Sequence, residues 1–204
     1  MKEALIIFIK NPELGKVKTR LASTIGDEKA LEIYKLLMKH TREIAQNVAV
    51  DRHVFYSQFI DENDEWSNSD FHKHLQNQDP DLGLKMFSSF HDLWKKGYEK
   101  VLIIGSDCLE LTDDTVKDAF VLLNEQEAVI GPAKDGGYYS IGFNFNLLDQ
   151  KTEKVMADVF LNKTWSHEDV FMEAMSALNS NNLRRAKLPH LSDVDYEEDV
   201  KHLL

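Results

Sequence analysis

The sequence has 204 residues, 43% of them hydrophobic and 29% charged, which is enough for one globular domain with a sizeable core. Its 35 acidic residues outnumber 24 lysines and arginines and give a net charge of -11, which argues against general nucleic-acid binding because that requires a broad basic surface. Cys108 is the only cysteine, so no intrachain disulfide can form. We expect a single domain over residues 1–204 in the cytoplasm, without a nucleic-acid or membrane partner.

The first half of the chain alternates between strand-like and helix-like patterns. The apolar run from Ala4 to Ile9 predicts a strand buried on both faces, and it is too short to span a membrane. From Asp27 to Val48, apolar residues recur at three- and four-residue spacing, which predicts a long amphipathic helix. Short strands are predicted at His53–Ser57 and Phe71–Leu75, with an acidic, exposed loop from Ile60 to Asp70 between them.

The second half continues the alternation. The spacing of Leu84, Phe87, Phe90 and Trp94 predicts a helix that Gly97 can end. Further strands are predicted at residues 100–105, 128–131 and 138–143, and further helices after Thr112 and after Ser166. Alternating strands and helices predict a Rossmann-like, three-layer α/β/α sandwich around a mostly parallel, open sheet. Ligands of such folds bind beyond the carboxyl ends of the strands, so we expect the functional residues in the loops that follow strands.

The loop after the first predicted strand is basic, although the protein is acidic. It runs from Asn11 to Ala22, and Gly15 allows a tight turn that exposes backbone amides. Lys10, Lys18 and Arg20 add cations that can hold phosphate oxygens. The loop is not a P-loop, because its glycine-lysine pair is followed by valine and the earlier glycine of that motif is absent. The alternative is a solvated surface loop.

A second loop, GSDCLELT, places Asp107 directly after a buried strand. Mg²⁺ commonly takes one or two protein carboxylates and fills its other positions with water and phosphate oxygens. Next to a basic loop, Asp107 therefore favours a nucleotide–Mg²⁺ site. Alternatively, its side chain caps the following turn.

A third loop, GPAKDGGYYSIG, contains Asp135 and the pair Gly136–Gly137, and Tyr138 follows them. Adjacent glycines permit a close approach of the backbone to a ligand, which favours a sugar or acceptor pocket with Tyr138 or Tyr139 as a wall. The alternative is a plain hairpin turn.

Near the C-terminus, the segment DVDYEED offers Asp193 or Asp195 as a second metal carboxylate. An acidic helix N-terminus explains the same residues equally well. The spacing leaves both interpretations open.

Five segments together resemble a bacterial family of small transferases. They are FIKNPELGKVKTRLA, QDPDLGLKM, GSDCLELT, GPAKDGGYYSIG and DVDYEED, and they span nearly the whole chain. That family is assigned the GT-A type of nucleotide-diphospho-sugar transferase fold, is often labelled as glycosyltransferases, and includes members linked to arsenosugar biosynthesis. The first segment also resembles the basic loop of guanylyltransferases that make precursors of cofactor F420.

The resemblance implies roles for particular residues. The phosphates of the nucleotide would be held by Lys10, Gly15, Lys18 and Arg20. A Mg²⁺ or Mn²⁺ ion would be held by Asp107 and Asp195, and catalysis would rest on Lys18, Arg20 and Asp107. Residues near the base or ribose would be Gln78, Asp81 and Gly83, and the acceptor would lie near Asp135, Gly136, Gly137 and Tyr138. The sequence departs from the family pattern at Lys85, where arginine is frequent, and at Leu109, where proline is usual.

These residues predict a transferase with a nucleotide or nucleotide-sugar donor and a small-molecule acceptor. Cations around a triphosphate favour nucleotidyl transfer with release of pyrophosphate. The alternative implied by the family label is sugar transfer from a nucleotide-diphospho-sugar. A third possibility is a nucleotide-binding module without catalysis.

Overall fold

A seven-stranded sheet runs through the computed structural model of the chain, which describes residues 2–201. The strands are β1 (Glu3–Ile9), β2 (Asp51–Tyr56), β3 (His72–Leu75), β4 (Lys100–Ile104), β5 (Ala128–Pro132), β6 (Tyr138–Asn144) and β7 (Arg185–Lys187). Their order is β3-β2-β1-β4-β6-β5-β7. Strand β6 is antiparallel to its neighbours β4 and β5, and all other adjacent pairs are parallel. The predicted mostly parallel, open sheet is confirmed.

Helices cover both faces of this sheet. They are α1 (Thr19–Ile25), α2 (Asp27–Gln46), α3 (Leu82–Lys95), α4 (Asp113–Leu122), α5 (Phe145–Leu148), α6 (Thr152–Phe160), α7 (Val170–Ser180) and α8 (Glu197–Val200). Helices α3, α6 and α7 pack against one face, whereas α2 and α4 pack against the other. This arrangement confirms the three-layer sandwich. None of the helices within residues 2–201 is both long enough and apolar enough to cross a membrane.

The central strand β1 shows why its sequence is apolar throughout. Ala4 and Ile6 belong to the core under α3, α6 and α7, while Leu5, Ile7 and Ile9 belong to the core under α2 and α4. Successive side chains of a strand point to opposite faces, so a strand covered on both sides needs an apolar residue at every position. Each buried Ile or Leu contributes about 1.5–3 kcal/mol of hydrophobic stabilisation.

The prediction of a continuous loop from Asn11 to Ala22 is wrong at its end, because α1 begins at Thr19. Leu21 is fully buried and packs with Ala30 and Val194 in a third apolar cluster between α1, α2 and α8. The sequence analysis also missed α6 and β7. The predicted extent of one domain over 1–204 includes residue 1 and residues 202–204, which lie outside the described range, and it stays a prediction.

Three histidines lie side by side where β2 pairs with the edge strand β3. His53 is 3% exposed; its Nδ1 lies 2.9 Å from Nε2 of His74, and its Nε2 lies 2.9 Å from the hydroxyl of Tyr98. The ring centroid of His72 is 4.8 Å from that of His53. Burial, and after it the neighbouring imidazoles, lower the pKa of His53 to about 3. Burial and then the nearby Lys96 lower the pKa of His74 to about 4.

We predict that this cluster makes the fold sensitive to mild acid. The unfolded chain binds protons on His53 and His74 below about pH 6.5, while the folded protein keeps these two imidazoles neutral. The free energy of unfolding should therefore fall from pH 7 to pH 5, approaching about 1.4 kcal/mol per pH unit for each imidazole below pH 6.5. Urea unfolding at pH 7, 6 and 5 measures this slope. His74→Gln should reduce it and His190→Gln, at an exposed position, should not; equal slopes would contradict the prediction.

Candidate functional site

The loops that follow β1 and β4 meet at the side chain of Lys18. This side chain is 4% exposed, and its Nζ lies 2.9 Å from Oδ2 of Asp107 and 3.5 Å from Oδ1 of Asp195. Arg20 Nη1 lies 3.1 Å from Oδ2 of Asp195. Lys18 and its sequence neighbour Arg20 thus form one ion cluster with two carboxylates from distant parts of the sequence, at the carboxyl ends of two adjacent parallel strands.

Backbone contacts hold the two carboxylates in place. The amide of Val194 donates to the carbonyl oxygen of Asp107 at 2.8 Å, which fixes the 193–195 segment against the loop after β4. The side chain of Asp199 accepts from the amides of Asp195 and Tyr196 at 2.9 and 2.8 Å. These hydrogen bonds hold the C-terminal segment on both sides of Asp195. The acidic start of a helix that the sequence offered as an alternative is present as well, at Glu197.

Lys18 itself has a strained backbone. It is the N-cap of α1 and adopts the left-handed conformation, with φ 48° and ψ 44°. Such a conformation costs a non-glycine residue about 1–3 kcal/mol and persists only where surrounding contacts enforce it. The ion pairs with Asp107 and Asp195 are contacts of this kind, so backbone strain and charge placement are coupled at this residue.

Asp193 is the other acidic residue proposed as a metal ligand in the C-terminal segment, and its surroundings differ from those of Asp195. Burial raises the pKa of its carboxyl to about 7, with smaller contributions from the carboxylates of Asp107 and Asp135. The side chain also lines both cavities described below. Of the two candidates for a second metal carboxylate, Asp195 is the one that shares a cation with Asp107.

The chemistry of this cluster fits a divalent cation. Asp107 and Asp195 already converge on one positive group, and carboxylate oxygens are the preferred protein ligands of Mg²⁺. Within residues 2–201, no group of three or more His, Cys, Asp or Glu side chains is arranged to hold a metal ion. A metal at this point would therefore rely on the carboxylate pair together with water and substrate oxygens, which is the usual pattern for Mg²⁺ with phosphates.

Two adjoining cavities open beside the ion cluster. The large cavity has a volume of about 620 Å³ and is lined by polar and charged groups that include Arg20, Asp135 and Asp195. The small cavity has a volume of about 360 Å³ and lies over the carboxyl ends of β1 and β4. Both cavities share four lining residues, Leu82, Met86, Tyr138 and Asp193.

Most of the predicted site residues reach these cavities. Lys10 and Asp107 line the small cavity, and Arg20, Asp135 and Gly137 line the large one. Tyr138 forms part of the wall between them and contacts the edge of Trp165 at a ring-centroid distance of 6.4 Å. Burial raises the pKa of its hydroxyl. The residues predicted for the donor are therefore divided between the two cavities, because Arg20 lines the large cavity together with the residues predicted for the acceptor.

Lys18, buried in the ion cluster, lines neither cavity, and four further predicted residues lie outside both linings and have local structural contacts. Gly15 forms an exposed turn with φ 72°. Gln78 is exposed and its Nε2 donates to the carbonyl oxygen of Gln76 at 2.7 Å. Asp81 caps α3 by accepting from the amide of Leu84 at 2.9 Å. Gly83 is buried so closely against Phe160 that a Cβ would lie 1.9 Å from its carbonyl oxygen. A nucleotide contact at these four residues stays a prediction.

Gly136 also lies outside the linings, and its role in the fold is clear. It has φ 92°, and a Cβ would lie 2.1 Å from the carbonyl oxygen of Glu168. Its own carbonyl oxygen accepts from the amide of Phe171 at 2.9 Å. Gly136 therefore lets the 133–137 turn dock on the segment that leads into α7, while Gly137, whose amide donates to Asp135 Oδ1 at 2.9 Å, faces the large cavity.

The small cavity also contains residues that the sequence analysis did not select. The hydroxyl of Tyr34 accepts from the amide of Lys10 at 2.8 Å and lies 3.1 Å from Oγ of Ser106, so it joins the loops after β1 and β4. Lys85, on α3, has no carboxylate within ion-pair distance among residues 2–201. The sequence could have pointed to Lys85 through its position in the QDPDLGLKM segment. It could not have pointed to Tyr34, whose spacing in α2 is that of an ordinary core residue.

Comparisons with known proteins identify the family and the fold of the chain. Residues 40–167 match the profile of the family described as "Uncharacterized protein conserved in bacteria (DUF2064)". A protein of Desulfovibrio desulfuricans G20, assigned as a nucleotide-diphospho-sugar transferase, is 30% identical, with a TM-score of 0.84 over 96% of this chain and 84% of that one. This match confirms the resemblance and the fold that the sequence analysis predicted. No curated protein sequence matches the chain significantly.

Two more distant structures share the fold alone. CMP:2-keto-3-deoxy-manno-octonic acid synthetase, solved with CTP, is 9% identical, with a TM-score of 0.61 over 100% of this chain and 97% of that one. A Mycobacterium tuberculosis H37Rv protein, solved with manganese, is 10% identical, with a TM-score of 0.58 over 100% of this chain and 98% of that one.

We predict that Lys18→Met destabilises the protein and makes its stability depend on divalent metal. The substitution removes the cation that Asp107 and Asp195 share and leaves Arg20 paired with Asp195 alone, which should cost about 1–3 kcal/mol. Because Mn²⁺ could then neutralise the pair without displacing an ammonium group, millimolar Mn²⁺ should raise the Tm of the variant more than that of the parent. Differential scanning fluorimetry measures both effects. Lys39→Met, at an exposed i,i+4 pair of α2, is the control; a variant that behaves like it would contradict the prediction.

We also predict that Gly136 tolerates a methyl group much less well than Gly97 does. Both have positive φ, but a Cβ on Gly97 would meet no atom within 4 Å. Gly97→Ala should therefore cost only the backbone strain, about 1–2 kcal/mol, while Gly136→Ala adds overpacking of about 1–3 kcal/mol. Urea unfolding of the two variants gives the difference directly. Equal losses would mean that Glu168 yields to the methyl group.

Proposed function

The chain belongs to the bacterial family DUF2064, and we propose that it is a metal-dependent transferase that uses a nucleotide donor and releases pyrophosphate by nucleotidyl transfer. The observation that carries this proposal is the cluster of Lys18 and Arg20 with Asp107 and Asp195 at the junction of two cavities. The name of the Desulfovibrio desulfuricans G20 relative supports a nucleotide-linked transferase in the same fold.

The small cavity suits the nucleoside part of the donor. Its walls are mainly apolar and include Phe8, Ile104 and Met86, with Lys10 and Asp107 near the ion cluster. A nucleobase is a flat and largely apolar ring with hydrogen-bonding groups at its edge, so it suits a narrow cavity with few polar atoms. With the base in this cavity, the phosphates would extend toward Asp107 and Lys18.

The large cavity suits the acceptor. It opens on the other side of the ion cluster and presents Arg20, Lys134 and His167 as positively charged or hydrogen-bonding groups. An acceptor with a phosphate or carboxylate group would find its counter-charge here. Asp135 and Tyr138 would then contact its remaining polar and apolar parts.

Mg²⁺ or Mn²⁺ held by Asp107 and Asp195 would neutralise charge on the oxygens of the phosphates. Lys18 and Arg20 have the complementary task, because pyrophosphate gains negative charge as it leaves and both cations lie at the junction. The acceptor oxygen forms a bond to the α-phosphorus while the bond from that phosphorus to the bridging oxygen breaks. An acceptor that is already ionised needs no general base, so positioning and charge stabilisation account for the chemistry.

Sugar transfer from a nucleotide-diphospho-sugar is the second candidate. It is favoured by the name of the 30% identical relative and by the 620 Å³ of the large cavity, which has room for a sugar beside an acceptor. The same four charged residues would then stabilise a departing nucleoside diphosphate. A nucleotide-binding module without catalysis is the third candidate. All three functions are compatible with a cytoplasmic protein, where nucleotides are abundant and the unpaired Cys108 stays reduced.

Calorimetric titration with nucleoside triphosphates and nucleotide-sugars, in Mg²⁺, Mn²⁺ or EDTA, tests the proposal. We expect metal-dependent binding of a triphosphate that falls at least tenfold in Arg20→Ala and in Asp107→Ala, since each removes a charge at the phosphates. Arg184→Ala and Asp114→Ala, both at exposed positions, are the matched controls. Release of pyrophosphate on addition of small phosphorylated or carboxylate acceptors would identify nucleotidyl transfer.

Preference for a nucleotide-sugar would instead establish the second candidate. Tight nucleotide binding without any product would favour the third. Absence of binding, or unchanged binding in both site variants, would overturn the proposal.

A further inference from the structure

The large cavity, which receives the acceptor in the proposed function, is lined by more negative than positive groups. Two permanent cations line it, Arg20 and Lys134. Five carboxyl groups line it as well, those of Asp135, Glu168, Asp193, Asp195 and Asp199. A cleft that is lined mainly by one sign of charge concentrates ligands of the opposite sign. The balance of charge in this cavity therefore favours an acceptor with a positive group.

Both permanent cations of the cavity already have carboxylate partners. Arg20 Nη1 lies 3.1 Å from Oδ2 of Asp195, and Lys134 Nζ lies 3.3 Å from Oε1 of Glu110 in the loop after β4. His167 adds no fixed charge, because its Nδ1 accepts from a backbone amide at 3.3 Å and so carries no proton. These groups therefore leave the other carboxylates of the cavity without a counter-charge.

Three carboxyl groups of the lining have no cationic partner. Within residues 2–201, Asp135, Glu168 and Asp193 form no ion pair with a Lys, Arg or His side chain. The one hydrogen bond that their side chains receive from these residues comes from the amide of Gly137, which donates to Asp135 Oδ1 at 2.9 Å. Asp199 differs, because it accepts from two backbone amides. Most oxygen atoms of the first three groups are therefore available to a hydrogen-bond donor of the ligand.

Two segments of the chain combine carboxylates with aromatic rings in one wall of the cavity. Gly136 lies against Glu168, since a Cβ on Gly136 would be 2.6 Å from Cα of Glu168, and Asp135 is its direct neighbour. Tyr138 and Trp165, each three residues away from one of these acids, meet edge to face at a ring-centroid distance of 6.4 Å. An ammonium group binds carboxylates through charge-assisted hydrogen bonds and aromatic faces through their negative potential. Both kinds of partner are present in this wall.

We propose that the acceptor carries an ammonium group in addition to the anionic group that attacks the donor. The ammonium nitrogen donates to the carboxylates of Asp135 and Glu168, and the carbon chain beside it packs against Tyr138 and Trp165. The anionic group lies at the ion cluster, and the ammonium group takes no part in the bonds that form and break. This inference rests on the proposed function, because it assumes that the large cavity receives the acceptor.

Pairs of probes with the same shape and different charge test the proposal on the parent protein. In 2-aminoethyl phosphate against propyl phosphate, and in 4-aminobutyl phosphate against pentyl phosphate, an ammonium group replaces a methyl group. Calorimetry is performed with Mg²⁺ and the α,β-methylene analogue of the triphosphate that binds, which prevents turnover. We expect the ammonium member of at least one pair to have a Kd at least tenfold lower than its alkyl partner. Absence of such a preference in both pairs would overturn the inference.

Substitution of the two acids then tests their assignment. In the double variant Asp135→Asn/Glu168→Gln, which keeps the shape of both side chains, the ratio of affinities should fall to within about threefold, while the triphosphate still binds. The control is Asp118→Asn/Glu198→Gln, which removes two carboxylates at exposed positions outside the lining and should retain the ratio of the parent. A ratio that survives in the folded double variant would show that other groups bind the ammonium ion and would overturn the assignment.

The outcomes separate the two proposals. If triphosphate binds through Arg20 and Asp107 but neither pair of probes shows a preference for the ammonium member, the inference about the acceptor is wrong and the proposed function stands. If no nucleotide binds under any condition, the proposed function falls and the inference falls with it. Should the double variant fail to fold, as thermal unfolding would show, the probe pairs on the parent protein decide.

Discussion

A single ammonium group, that of Lys18, holds together parts of the chain that are far apart in sequence. Its contacts with Asp107 and Asp195 join the loop after β1, the loop after β4 and the segment before α8. Two carboxylates this close would repel each other without a cation, so either the lysine or a bound metal has to satisfy them. Under the proposed function, a donor that carries both metal and phosphates would offer the carboxylates a new cation and the lysine a new anion. Its binding would then exchange charge partners without leaving any of these groups unpaired.

The architecture of the sheet determines where these charged groups lie. Because β1 and β4 are adjacent and parallel, their carboxyl ends deliver Lys10 and Asp107 to the same edge. Tyr34 fixes the spacing between the two loops through hydrogen bonds that involve no charge. The ion cluster and the small cavity are therefore built on the most completely buried part of the fold. Rigid strands of this kind hold the charged side chains in a fixed geometry.

Much of this arrangement could be predicted from local sequence patterns, and the failures have physical reasons. The apolar runs of β1 and β4 and the spacing in α2 report burial directly, so the layers and the positions of Lys18, Arg20 and Asp107 at the ligand edge followed from them. Helix α1 was missed because Leu21 is its only buried residue, so the segment has no apolar periodicity, and part of the cluster around Leu21 comes from the distant Val194. Tyr34 was missed because its role lies in hydrogen bonds to the loops after β1 and β4. Sequence spacing carries no record of such contacts.

Because β6 runs in the reverse direction, the two cavities receive residues from different ends of their strands. Lys10 and Asp107 follow β1 and β4, whereas Asp135, Gly137 and Tyr138 precede or begin β6, in the turn that joins it to β5. That turn is docked through Gly136 on the segment before α7 rather than on β1 or β4. Insertions or substitutions in it can reshape the large cavity while the register of the central strands stays unchanged. Under the proposed function, a change of acceptor would require new residues only in this hairpin, while the residues that bind the donor would stay the same.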